Sequence, residues 1–126
     1  MFSMISSRLL KHAPGEKTYL WLRDAERAFD IFYWQDQSGH ATRFQIWGED
    51  HLWEWNADRG WKFGVSDPQN GAFKHLQSPT YRYARQKYLQ PLQEVKISIR
   101  ESLSDSALQP FLKTVLQEIE KLRVSF

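Results

Sequence analysis

The sequence predicts an α+β fold: a curved antiparallel meander of five strands plus a sixth strand, a C-terminal helix packed on the core face, and a shorter helix near residues 79–89. Three observations carry this. Turn-forming clusters recur at short intervals between Thr18 and Ser66. The runs between them are rich in Trp, Phe, Tyr and Ile, residues that fit a pleated, half-buried surface. From Leu108 onward the apolar residues switch to a spacing of three and four, the period of a helix. The 126 residues suit a single domain over 1–126.

The segment 1–14 has Arg8 and Lys11 but no acidic residue, a weak resemblance to an organellar transit peptide. Phe2, Ile5 and Leu9 lie three and four apart, so a short amphipathic helix is the preferred reading. No window approaches the roughly 20 apolar residues of a membrane span, and a cytoplasmic protein is expected.

Strands are predicted at 18–23, 28–36, 41–48, 51–55 and 61–66, and hairpin loop lengths then fix their register. A loop over 24–27 sets Leu22 opposite Phe29 and Trp21 opposite Asp30. The loop 37–40 sets Tyr33 opposite Phe44 and Trp34 opposite Arg43. The Glu49-Asp50 turn sets Ile46 opposite Trp53 and Trp47 opposite Leu52, and a turn ending at Gly60 sets Trp55 opposite Trp61. All four hairpins place the same kind of residue on the same side. One face, with Leu20, Leu22, Phe29, Ile31, Tyr33, Phe44, Ile46, Trp53 and Phe63, is the predicted core. The other carries polar groups but also Tyr19, Trp21, Phe32, Trp34, Trp47 and Leu52, a contiguous apolar surface that needs a cover or a partner.

Beyond the meander, 67–77 reads as a long connection. Ser78-Pro79 resembles an N-cap with proline at the first helical position, and Pro91 is expected to end that helix. Val95, Ile97 and Ile99 alternate with Lys96, Ser98 and Arg100 and predict the sixth strand. Leu108, Leu112, Val115, Ile119 and Leu122 predict the C-terminal helix.

Charge and composition limit the function. The formal charge is only +2, which argues against a strongly basic nucleic-acid protein. Residues 16–67 hold ten acidic and six basic side chains, whereas 74–100 hold six basic and one acidic. Arg82, Arg85 and Lys87 form a possible anion or single-stranded nucleic-acid site; the preferred reading is a solvated face that balances the acidic meander. Cysteine is absent, which excludes disulfides and thiolate chemistry in this chain. The four histidines lack metal-ligand spacing, and there is no glycine-rich phosphate loop or nucleophile elbow. No cofactor is expected and no spacing selects a catalytic group.

The expected function is therefore a non-catalytic protein-interaction module, with Tyr19, Trp21, Phe32, Trp34, Arg43 and Trp47 contacting a protein partner or a second copy of the chain. The alternative is an apolar pocket between sheet and helix for a small ligand, oriented by His51 and Tyr33.

Overall fold

A computed structural model describes residues 1–6, 16–48, 51–67, 72–75 and 80–124, and gives the backbone alone for Ser6, 16–19, 65–67, 72–75, 80–90 and 123–124. Seven strands are joined as a pure meander: β1 (Ser3–Ser6), β2 (Glu16–Asp24), β3 (Phe29–Asp36), β4 (Ala41–Trp47), β5 (His51–Asn56), β6 (Gly60–Asp67) and β7 (Ala72–His75). Each pairs antiparallel with the next, in the order β1-β2-β3-β4-β5-β6-β7. Two helices follow, α1 (Thr80–Ser102) and α2 (Gln109–Val124).

Three of the four hairpins have the predicted register. Tyr33 pairs with Phe44, Trp34 with Arg43, Ile46 with Trp53, Trp47 with Leu52, Trp55 with Trp61 and Glu54 with Lys62. The first hairpin is displaced by two residues. Leu22 faces Ile31, Trp21 faces Phe32 and Asp24 faces Phe29, so the loop is 25–28. Aspartate favours turns, which makes Asp24 an expected loop residue. It is instead the last strand residue, and its carboxylate accepts the Arg27 main-chain N–H at 3.1 Å. A shift of two preserves which face each side chain occupies.

The ends of the chain depart further from expectation. Ser3–Ser6 is an edge strand on β2, and Ala72–His75 adds a seventh strand within the expected connection. From Thr80 on, the predicted helix over 79–89 runs through Pro91, and the predicted sixth strand over 95–100 is helical: both are in α1, while Ser78 and Pro79 lie outside the described residues. Exposure gives the reason. Val95 and Ile99, one helical turn apart, are fully buried together with Lys96 and Ser98, while Ile97 is 42% exposed. A strand would have put Val95, Ile97 and Ile99 on one side. Packing of Leu92, Val95 and Ile99 in the core offsets the hydrogen bond that proline removes from a helix interior.

The helices cover one face of the sheet. Leu20, Leu22, Ile31, Tyr33, Phe44, Ile46, Trp53 and Phe63 meet Leu92, Val95 and Ile99 of α1 and Leu112, Val115, Ile119 and Leu122 of α2 in one core. Each such aliphatic or aromatic side chain contributes roughly 1.5–3 kcal/mol by leaving water. Polar ties pin β1 and β2 to α1: the Phe2 N–H donates to Ser102 Oγ at 2.6 Å, and the Ser98 hydroxyl donates to the Asp24 carboxylate.

Candidate functional site

Alternation along β2–β5 sends a second set of side chains to the face away from the helices. Phe32 is its centre. Trp21 stacks on Phe32 with ring centroids 5.7 Å apart and planes 28° from parallel. Trp47 meets it edge-on at 6.4 Å, and Trp34 lies 6.5 Å away. The Trp21 stack exists because of the two-residue change in register, which replaces the expected Asp30 with Phe32 opposite Trp21. Such pairs contribute about 0.5–1.5 kcal/mol each beyond area burial.

The polar residues between the rings set their orientation. Trp21 Nε1 donates to Asp30 Oδ1 at 2.7 Å, and Arg23 Nη1 donates to both Asp30 oxygens at 2.9 and 2.8 Å. Trp47 Nε1 donates to Gln45 Oε1 at 3.0 Å, while Gln45 Nε2 donates to Glu54 Oε2 at 2.7 Å. The Arg43 guanidinium lies over the Trp34 ring, 3.9 Å from its centroid. Asp30, Gln45 and Glu54 thus hold the layer, a role the sequence reading missed by assigning them to a solvated face. The spacing contained a clue, since Gln45 and Trp47 are two apart on one strand and therefore share a face.

The expected contact residues divide by exposure. Trp34 is only 5% exposed and Leu52 only 7%, yet neither belongs to the core under the helices. They form the buried floor of the second face. Trp21, Phe32, Arg43 and Trp47 are half-buried and reach its surface. Tyr19 pairs with Trp34 through the backbone, and its side chain lies outside the described residues. Arg82, Arg85 and Lys87 fall in α1, and their side chains likewise lie outside them.

The residues expected to orient a small ligand are separated. Tyr33 is buried in the core, 5.3 Å from Phe111 and 6.3 Å from Phe44, and desolvation raises its phenol pKa against a hydrogen bond with Thr114. His51 lies elsewhere, stacked on Trp53 at 5.4 Å and lining a cleft of about 350 Å³ at one end of the sheet. Between the middle of the sheet and the helices the space is occupied by core side chains. Among the described residues no group of three or more His, Asp or Glu side chains is placed to hold a metal ion, and no helix is long and apolar enough to cross a membrane.

Comparison with known proteins adds no functional relative: no family model, no curated protein and no solved structure matches this chain.

Proposed function

We propose that the chain is a non-catalytic protein-interaction module whose contact surface is the second face of the sheet, with a second copy of the chain as its partner. The observation that carries this reading is the continuous layer of Trp21, Phe32, Trp34 and Trp47, on the face opposite the helices. Every buried apolar side chain of α1 and α2 among the described residues joins the core on the other face. Tryptophan and arginine are the usual anchors of protein contacts. The indole N–H groups of Trp21 and Trp47 are already paired, so little of their side-chain entropy remains to be lost on binding. The charges on this face, Arg23, Arg43 and Lys62 with Asp30 and Glu54, mix both signs. That mixture suits an isologous contact, in which the patch must complement itself.

Light scattering coupled to size exclusion tests the reading. The wild-type chain is expected to be dimeric, and changing Phe32 and Trp47 together to serine is expected to give a monomer with an unchanged circular-dichroism spectrum. Trp34 is left in place because it is buried. Should the double variant unfold, the single exchange Trp47→Arg serves in its stead. A monomeric wild type at high concentration, or a variant that remains dimeric, overturns the proposal.

A further inference from the structure

We infer that the cleft at the end of the sheet is a second binding site, on the helix side and independent of the aromatic face, and that it takes a small organic cation with an apolar body. Its volume of about 350 Å³ is at the lower end of the roughly 300–1,000 Å³ found for small-molecule sites. The cleft lies between the loop joining β2 to β3, the start of β5 and α1. Ala28, Phe29 and Pro91 supply apolar wall, and the His51 ring, lying flat on Trp53, adds an aromatic one. Gly48 closes the floor. A Cβ at that position would come within 3.1 Å of Phe29 and 3.3 Å of Trp53, so any larger residue would push these rings back by a few tenths of an ångström.

The rim decides the sign of the ligand's charge. Glu26 and Glu94 lie on it, the latter 60% exposed. Arg27 also lines the cleft, but its guanidinium is engaged by Asp24 at 3.2 Å and by Glu101 at 3.1 Å, with Glu94 at 3.7 Å. Asp24 and Glu101 in addition face the α-amino group of Met1, at 3.0 and 3.5 Å. Of the described side chains that line the cleft, Glu26 and Glu94 are the carboxylates, and Arg27 is a cation already engaged by Asp24 and Glu101. The described lining is net negative, and it stands beside an aromatic wall of the kind that attracts ammonium groups by cation–π interaction. An anion would meet repulsion at the same place.

A titration of the full chain followed by amide NMR tests this with three probes of one shape: 2-phenylethylammonium, neutral 2-phenylethanol and anionic 3-phenylpropionate. The ammonium is expected to shift the Ala28, Gly48 and His51 amides saturably, and the other two to bind at least about tenfold more weakly, a difference of about 1.4 kcal/mol. Changing Glu26 and Glu94 together to glutamine, both being surface positions, is expected to remove that preference while leaving the rest of the spectrum in place. Equal binding of the three probes overturns the inference. So does the lack of saturable shifts with the ammonium up to about 10 mM, since a Kd above that range is no specific site, or a preference that survives the double exchange.

Discussion

Ala28 has φ of 56°, a left-handed conformation that costs an L-residue about 1–2 kcal/mol. It closes the loop after Asp24, and the displaced register depends on it. Glycine adopts that conformation without the Cβ penalty but loses more freedom on folding, so Ala28→Gly is expected to stabilise the protein by about 0.5–1 kcal/mol in urea unfolding. A loss of stability would show that the methyl's contacts outweigh the strain. Asp24 is the other decisive residue in this hairpin. Burial alone would raise its pKa from 3.8; hydrogen bonds from the Ser98 hydroxyl, the Arg27 N–H, the Met1 amine and the Arg27 guanidinium more than reverse this, and it ends well below that value. A depressed folded-state pKa means that the stabilisation is complete above the ordinary carboxylate value and is lost as pH falls below it. Asp24→Asn is therefore expected to cost about 3 kcal/mol at neutral pH, and the gap to wild type should narrow steadily as the pH falls from about 5. A gap independent of pH would assign the loss to packing.

At the scale of elements, α1 and α2 are joined by a contact that a purely apolar seam would not contain. Lys96 is 1% exposed, its Nζ has no hydrogen-bond partner among the described residues, and the nearest carboxylate, Glu120, stands 3.5 Å away and is already paired with Arg100 at 2.9 Å. A buried cation with so little compensation costs more than an apolar side chain of similar size. Lys96→Met is expected to raise the unfolding midpoint by the equivalent of about 1–2 kcal/mol with an unchanged denaturant slope. A lower midpoint would mean that the ion pair is net stabilising. The same lysine explains why α1 was hard to read: a charged residue at a core position, beside an exposed Ile97, produces the alternation of a strand. Five residues before that lysine, Pro91 points the same way, because proline opposes helix locally whatever the packing beyond it supplies.

On the scale of the whole molecule, the sheet has two apolar faces: one buries its side chains against both helices, while on the other Trp34 and Leu52 are the buried apolar side chains among the described residues. The sequence by itself determined the meander from β2 to β6, three of its four registers, the two faces and the apolar stripe of α2. Those depend on periods of two and of three to four and on short turns, which local sterics dictate. Tertiary structure alone decided the rest. The edge strand Ser3–Ser6 exists because β2 offers it a ladder, and α1 runs through Pro91 because Leu92, Val95 and Ile99 have a core to enter. The cleft combines Glu26, His51 and Glu94 from three distant segments, and its negative surplus depends on which carboxylates Arg27 has already engaged. Spacing along the chain carries no record of such long-range distances, since Coulomb and packing energies depend on separation in space rather than in sequence.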